Sequence, residues 1–268
     1  MRPSSARPIP ALLPYVRCFE QREARLEHGE VIYPIAARPE QFLEFYLQER
    51  YLIHSHNSNT REPAPRSVVV GPSTYRRVDL VLHGRFEVFT IHFQPSGFFQ
   101  LFGLPMPNLA DRAYEARSVI GAGITELETR LADAQDFRLR VELATSFLKQ
   151  RLSSVDAQDA VARIANQVLC DRGVLHIQES AARVGLSVRQ FERRFLEEVG
   201  VAPRRYARIV RFQSALNLRL NAERPWTDIA HDLGYYDQMH MVHDFRIYSG
   251  ESPTRLSNLF TANREHWA

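Results

Sequence analysis

The histidines in the first half of the chain come closest to metal chemistry in their type and spacing. His54 and His56 form a His-x-His pair on one predicted strand, so both rings lie on the same face of that strand. With His92 on a neighbouring strand, such a pair in a small barrel would hold a metal ion and support a metal-dependent enzyme. However, no glutamate or third histidine follows the pair at a supporting spacing. We therefore prefer a polar strand end, and we predict neither a metal nor another cofactor.

One predicted helix in the second half carries side chains that could form hydrogen bonds with the edges of DNA bases. In this helix, Phe191 and Phe195 lie on one face and leave Arg189, Glu192 and Arg193 on the other. A guanidinium can donate two parallel hydrogen bonds to guanine, and a carboxylate can accept one from the amino group of cytosine. These roles require a helix that is positioned to enter the major groove.

An internal repeat supplies the elements that would position such a helix. The sequence at 191–195 is FERRF, and it recurs as MVHDF at 241–245, an offset of 50 residues. Upstream, residues 181–185 recur as 230–234 at an offset of 49, so the second turn contains one extra residue. Each unit has a helix, a glycine turn, a Ser or Asp N-cap, a second helix and a final glycine and proline. This order is the helix-turn-helix plan.

The repeat resembles the DNA-binding domain of the AraC/XylS family of bacterial transcription regulators. The matching segments are 177–186, 187–203 and 229–253, and GYYDQMH at 234–240 resembles the family's Gly-Phe-x-Asp-Gln-Ser-His-Phe. In that family a long helix joins the two units, and residues 203–220 fit this role. The resemblance implies a transcription regulator that binds double-stranded DNA in a sequence-specific way. It leaves the operator, the effector and the sign of regulation open.

In the first unit, the resemblance implies that the second helix lies in the major groove. Arg189, Glu192 and Arg193 are its predicted base contacts, and Arg193 is the main candidate for a guanine. Glu192 either accepts from a cytosine or orients Arg193. Gln190 and Arg194 are better placed for contacts to the DNA backbone.

The second unit departs from the family pattern, because apolar residues and a histidine stand where polar residues, an aromatic and an arginine are usual. Gln238, Met239 and His243 are its predicted base contacts, and Met239 can make only apolar contacts, such as one to a thymine methyl group. Asp244 adds a negative charge, so we expect this unit to contribute less to sequence recognition. His240 is expected to pack near the turn. The remaining predicted contacts to the DNA backbone are Arg204, Arg205 and Arg246.

The first half of the chain predicts a small β domain. Short runs rich in Val, Ile, Phe and Tyr predict strands at 30–35, 41–47, 51–56, 67–70, 77–82 and 86–93. Helices are predicted at 96–102, 124–131 and 138–152. The last two either form a dimer interface or simply pack on the sheet.

The predicted fold class is therefore α+β. A mostly-β N-terminal domain, like a small barrel or sandwich with trailing helices, precedes an all-α domain of two helix-turn-helix units joined by a long helix. We predict a sensory or dimerisation domain at 1–152, a linker at 153–158 and the DNA-binding domain at 159–268. The expected partners are double-stranded DNA, a small-molecule effector, a second copy of the chain and RNA polymerase.

Composition is consistent with this interpretation. The 268 residues are 44% hydrophobic and 24% charged. No apolar run is long enough to span a bilayer, and prolines interrupt the apolar core that a signal peptide would need at the N-terminus. We therefore expect a cytoplasmic protein without a membrane partner. The net charge of +3 lies entirely in residues 160–268, which contain 15 arginines and 12 acidic residues. A DNA-repair protein with a nucleophilic cysteine is disfavoured, because Cys18 has no companion cysteines and Cys170 lies among apolar residues.

Overall fold

The structure is a computed structural model, and it describes residues 3–26, 29–56, 58–76, 78–152 and 160–264. The predicted linker at 153–158 lies outside the described residues. A β-rich N-terminal region with trailing helices is followed by a helical C-terminal region, which confirms the predicted fold class.

The N-terminal region contains two antiparallel sheets. Its strands are β1 (Ser4–Ala6), β2 (Val16–Arg25), β3 (Val31–Pro34), β4 (Phe42–Tyr46), β5 (Leu52–Ser55), β6 (Thr60–Pro63), β7 (Ser67–Val70), β8 (Val78–Leu82), β9 (Arg85–Phe93) and β10 (Ala113–Glu115). One sheet has the order β1-β2-β9-β4-β7-β10 and the other β3-β8-β5-β6. Among the described residues no strand pairing joins the two sheets, so they form a sandwich-like pair and not a closed barrel.

The six predicted strands are confirmed, with ends shifted by at most one residue, but four strands were not predicted. The longest of these, β2, pairs with β9 along its length, so that Phe19 lies opposite Ile91. Half of its residues are charged, which hides the period-2 pattern in the sequence. Another unpredicted strand, β6, contains Pro63 and lies at the sheet edge, where a missing N–H is tolerated.

The trailing helices cover the six-stranded sheet. They are α1 (Gly97–Phe102), α2 (Ala116–Ile120), α3 (Gly123–Asp133) and α4 (Phe137–Lys149). Ile124, Leu131 and Leu148 pack into the same core as Phe45 and Phe89 of the sheet. The prediction that this helix pair packs on the sheet is therefore confirmed, and its use as a dimer interface stays a prediction.

A buried arginine fixes α4 to the sheet. The Arg140 guanidinium donates to Glu87 Oε1 at 2.5 Å and to Gln21 Oε1 at 2.7 Å, and it also donates to the carbonyl oxygens of Leu131 and Ala134. Arg140 is 7% exposed, and this cluster satisfies its charge and its donors inside the fold.

The C-terminal region is helical throughout its described part. Its helices are α5 (Ala160–Cys170), α6 (Ile177–Arg183), α7 (Val188–Val199), α8 (Pro203–Ala222), α9 (Trp226–Asp232), α10 (Gln238–Ser249) and α11 (Pro253–Arg264). The 20-residue α8 joins two units, α6–α7 and α9–α10, as predicted. Phe191, Phe195, Phe212 and Phe245 are completely buried in one core that serves both units.

The two regions pack against each other through the loop between β3 and β4. The Ala37 N–H donates to the Tyr248 carbonyl at 2.8 Å, and the Gln213 amide donates to the Ala37 carbonyl. Both Ala36 and Ala37 belong to the core of the C-terminal region. Further contacts are made by Gln41 with the Val199 carbonyl, by Arg76 with Glu251 and by Tyr33 with Phe260.

No described helix is long and apolar enough to cross a membrane.

Candidate nucleic-acid interface

The two predicted recognition helices, α7 and α10, begin and end in the same way. The side chains of Ser187 and Asp237 accept from the backbone N–H three residues later, at 3.3 and 2.7 Å. Each helix ends at a glycine in the left-handed conformation, Gly200 with φ 87° and Gly250 with φ 75°. The caps fix where each helix starts, so its first turn is presented with defined geometry.

In the first unit, the predicted base-contacting arginines are free to bind a ligand. Arg189 and Arg193 are exposed, and in the described part of the chain neither guanidinium has a carboxylate within 4 Å. Glu192 is half-buried and is not ion-paired with Arg193 there, so nothing in the structure supports the idea that it orients this arginine. Unpaired guanidinium groups on one helix face provide donors and positive charge for DNA.

Two other predicted contacts in this unit already have partners within the fold. The Gln190 side-chain carbonyl accepts from both the N–H and the hydroxyl of Ser187, which completes a capping box and leaves the amide nitrogen out of these bonds. Arg194 lies 3.4 Å from the buried carboxylate of Glu198. Its charge is therefore partly used inside the helix.

In the second unit, Gln238, Met239 and His243 are all exposed on α10, as a DNA-contacting face requires. His240 is exposed too, and its ring packs edge-on against Tyr235 at 5.6 Å, next to the turn. Arg246 is exposed in the last turn of the helix, about 12 Å along the axis from Gln238.

Asp244 does not place a negative charge on this face. Its side chain is completely buried, and Oδ1 accepts from the Arg208 guanidinium of α8 at 2.6 Å. Burial disfavours the charged form of Arg208, but the hydrogen bond with Asp244, together with the negative charge of Asp244 and the nearby Tyr248 and Tyr235, outweighs this effect and raises the pKa of Arg208. This pair attaches α10 to α8, and the prediction that Asp244 adds a negative charge to this face is wrong.

The arginines at the start of α8 differ from each other. Arg204 is exposed in the first turn, where helix N–H groups and the helix dipole favour a phosphate. Arg205 is also exposed, but its guanidinium lies 3.4 Å from the Thr74 carbonyl of the N-terminal region. The structure thus places Arg205 at the contact between the two regions.

Sequence reasoning missed a cavity between the regions. This cavity has a volume of about 500 Å³ and is lined by β2, by the loop before β4, and by α8 and α11, with Arg17, Arg22, Arg38, His92, Gln213 and Phe260 among its residues. A second cavity, of about 640 Å³, lies between the sheets and shares Arg22 and Arg38 with the first. The charged residues of β2, which obscured this strand in the sequence, line the first cavity.

The charges around the cavity are mostly paired. Arg22 lies 3.0 Å from Glu20 and 3.3 Å from Glu44, and Arg17 lies 3.7 Å from Glu40. Arg38, in contrast, stacks over the Phe42 ring at 4.3 Å, has no carboxylate within 4 Å among the described residues, and its buried Nε donates to no acceptor there.

His92 lies on the cavity wall in its neutral form. Burial and the nearby Arg17, Arg22 and Arg38 lower the pKa of His92 to about 3. The Glu20 carboxylate, 4.0 Å from Nε2, would favour the charged form, but burial and three guanidinium groups outweigh this single charge.

The histidines considered as metal ligands are not gathered into one site. His54 and His56 have their ring centroids 5.5 Å apart, which confirms that they share a face, but they bond to Asn59 and Asp79 respectively. His92 belongs to the other sheet. No group of three His, Cys, Asp or Glu side chains in the described residues is arranged to hold a metal ion, and the metal-enzyme hypothesis has no support.

Two protein families match the chain. Residues 180–258 match a family described as a helix-turn-helix domain, and residues 4–115 match a domain of unknown function (DUF6597). No curated protein matches the chain.

Several solved structures are similar. ToxT from Vibrio cholerae O395 is 13% identical with a TM-score of 0.50, and the alignment covers 91% of this chain and 98% of ToxT. The DNA-binding domain of AdpA in complex with a target DNA is 25% identical over 40% of this chain and 98% of that domain, with a TM-score of 0.38. A probable AraC family regulator from Rhodopseudomonas palustris CGA009 is 26% identical over 38% of this chain and 96% of its own length, with a TM-score of 0.34. The likeness to ToxT shows a shared two-domain fold.

Proposed function

We propose that the chain is a DNA-binding transcription regulator whose C-terminal region is an AraC-type double helix-turn-helix domain. In this domain α7 and α10 contact bases in two neighbouring stretches of major groove. The observation that carries this proposal is the pair of capped helices, each with an exposed polar face, joined by α8. In this proposal residues 159–268 bind DNA, and residues 1–152 sense a ligand or mediate dimerisation.

The first unit provides the main hydrogen bonds to bases. Arg193 and Arg189 have no carboxylate partner in the described structure, so their donors are available to guanine O6 and N7. Glu192 accepts from a cytosine amino group. In the second unit Gln238 faces an adenine, and His243 lies further along the same face.

Contacts to phosphates position the two helices. Arg204 and the amide N–H groups of Gln190 are the best placed, because both lie in the first turn of a helix. Arg246 contacts the backbone at the far end of α10. Arg194 and Arg205 have intramolecular partners, so we assign them a smaller share of the binding energy.

The decisive experiment is selection of bound fragments from random DNA by the full chain, followed by Arg193→Ala. Loss of a bidentate contact to guanine should weaken binding by about 1–3 kcal/mol and relax the preference at one base position. Arg61→Ala, which removes an exposed arginine of the N-terminal region, is the matched control. If no sequence is enriched, the regulator function is contradicted. If Arg193→Ala leaves affinity and base preference unchanged, only the role of Arg193 is contradicted.

The cavity between the regions is the proposed effector site. Arg17 and Arg22 are balanced by carboxylates, whereas Arg38 is not, so the cavity offers one cation to an anionic ligand. A structure of ToxT, with a TM-score of 0.50 to this chain, contains (E)-4-(8-methylnaphthalen-1-yl)but-3-enoic acid, a carboxylic acid. We infer that the effector of this chain carries a carboxylate that binds Arg38.

Ala37 links this site to the two helices that hold the second unit. Ala37 precedes Arg38 and is hydrogen-bonded both to Gln213 of α8 and to the last turn of α10 through Tyr248. An anion that repositions Arg38 therefore acts on the backbone that holds both helices. The test is calorimetric titration with the naphthyl butenoic acid and a panel of metabolic carboxylates. Binding should be lost in Arg38→Met and retained in Arg61→Met, and equal binding by the two variants would contradict the site.

The remaining assignments follow from this function. We propose a homodimer on DNA, with the outer face of α3 and α4 as the contact, because Leu139 is 40% exposed there. We also propose a cytoplasmic location and a contact with RNA polymerase once the protein is bound. Sedimentation of the chain with its selected duplex, compared with the free chain, tests the dimer: a single chain on each duplex would contradict it.

A further inference from the structure

The second helix-turn-helix unit contains one residue that has no counterpart in the first. After each turn glycine, a backbone N–H donates back into the preceding helix: Leu186 to the Ala181 carbonyl and Tyr235 to the Ala230 carbonyl, both at 3.0 Å. Leu186 and Tyr235 are therefore equivalent. The N-cap follows Leu186 immediately, whereas Tyr236 separates Tyr235 from its N-cap. Tyr236 is thus the extra residue of the second turn.

The side chain of Tyr236 is almost free of contacts with the rest of the fold. It is 93% exposed, while the neighbouring Tyr235 is 6% exposed and belongs to the core. Met239, three residues further along, is 68% exposed. These are the two most exposed large hydrophobic side chains in the described part of the chain, the next being Val174 at 51%. Tyr236 and Met239 therefore expose apolar surface within four residues of each other at the start of α10, where it is available to a binding partner.

The position of this apolar pair defines its partner. Tyr236 and Met239 flank the N-cap and first turn of α10, and this end of a recognition helix contacts base edges. The 5-methyl group of thymine is the apolar feature of the base edges in the major groove. Gln238, between the two, is also exposed and is suited to the N6 and N7 atoms of adenine.

We propose that Tyr236 and Met239 pack against thymine methyl groups, so that the second unit selects A·T base pairs. This inference rests on the proposed DNA-binding function and specifies what its second unit recognises. In the register of the repeat, Met239 takes the place of Arg189. The two units therefore differ in chemistry: the first offers guanidinium groups to guanine, and the second offers an apolar surface and an amide to A·T pairs.

The ring of Tyr236, and not its hydroxyl group, makes the contact in this arrangement. Tyr236→Phe therefore keeps the affinity of the full chain for its selected duplex, whereas Tyr236→Ala and Met239→Ala each weaken it about tenfold, as expected for losing a large apolar contact. Val174→Ala shortens another exposed apolar residue of the same region and serves as the control. None of these side chains is needed for the core, so the variants should fold.

The direct test removes the methyl groups from the DNA. Thymines of the selected duplex are replaced by deoxyuridine, which keeps all Watson–Crick hydrogen bonds, first in one half of the site and then in the other. The base positions whose preference relaxes in Arg193→Ala identify the half bound by the first unit. Each contacted methyl group that is lost in the other half should weaken binding by the wild-type chain about fourfold. The same replacement in the first half should have no effect.

The last part of the test combines the changes in the protein with the changes in the DNA and measures whether their effects on affinity depend on each other. The loss caused by deoxyuridine should disappear in the Tyr236→Ala, Met239→Ala double variant, because the methyl groups no longer have a partner. Equal wild-type binding to thymine and deoxyuridine duplexes overturns the inference, as does a full deoxyuridine effect in the double variant. A change of oligomeric state in Tyr236→Ala without a change in DNA affinity also overturns it, because the pair then contacts a second copy. If no duplex is selected at all, the proposed function fails with it.

Discussion

Replacing His92 with glutamine should make the protein less sensitive to acid. Burial and three arginines lower the pKa of His92 to about 3 in the folded chain, whereas an unfolded chain has a histidine pKa near 6.5. Between these values the unfolded state binds a proton that the folded state excludes. The folded state is therefore at its full stability above about pH 6.5 and loses stability as the pH falls from there towards 3.

The size of the effect follows from the pKa difference. Each pH unit below 6.5 costs about 1.36 kcal/mol, so at pH 5 the His92 contribution is about 2 kcal/mol relative to pH 7.5. His92 is 14% exposed, so little solvent screening is available to reduce this value. Glutamine retains a polar group on the cavity wall but cannot take up a proton in this range.

Urea unfolding at pH 7.5 and pH 5.0 measures the difference. The free-energy change caused by His92→Gln should shift in favour of the variant by about 2 kcal/mol between the two pH values. His176→Gln, at an exposed histidine whose side chain makes no capping hydrogen bond, is the matched control and should give a much smaller change between the two pH values. If the effect of His92→Gln is the same at both pH values, His92 is not held neutral by its surroundings and the reasoning is refuted.

Three further changes test other parts of the structure. Arg140→Met should destabilise the chain by about 3–5 kcal/mol in urea unfolding, because it leaves Glu87 buried without its partner, and the double variant with Glu87→Leu should recover much of this loss. Asp237→Ala removes the N-cap of α10 and should cost about 1 kcal/mol, whereas Asp237→Ser should cost much less, as thermal unfolding will show. DNA binding measured against salt concentration should give a log–log slope of about −4 to −5 for each bound chain, since each DNA-binding domain contacts about four to six phosphates, and a slope near −10 for each chain would contradict the small net charge of the domain.

The helix-turn-helix units were predictable because their signals are local. Caps, turn glycines and buried phenylalanines recur within one unit and again in the next, and all of these features of the structure agree with the sequence. The predicted role of a side chain was wrong where its partner comes from another part of the chain. Asp244 is buried because Arg208 approaches it from α8, and the pattern of α10 alone gives no sign of that contact.

The cavity could not be predicted, for a related reason. A strand that lines a polar cavity carries charged residues on the face towards the cavity, and a hydrophobic pattern assigns such residues to solvent. Because β2 lines the first cavity, half of its residues are charged and its sequence is typical of a loop. Its partner β9 is predicted without difficulty because both of its faces are apolar. A strand of mixed polarity beside an apolar central strand is the signal that could have indicated a binding cavity.

The structure shows which arginines of the C-terminal region, whose net charge is small, are available to bind DNA. Several arginines there are used inside the protein, because Arg208 pairs with Asp244 and Arg194 with Glu198, while Arg205 contacts the N-terminal region. Among the predicted DNA contacts, Arg189, Arg193, Arg204 and Arg246 remain exposed without a carboxylate partner in the described structure. Since each phosphate contact adds to the salt dependence, a region with few available cations binds non-specific DNA weakly. Specificity then depends on base contacts, and an apolar contact to thymine has the advantage that salt does not screen it.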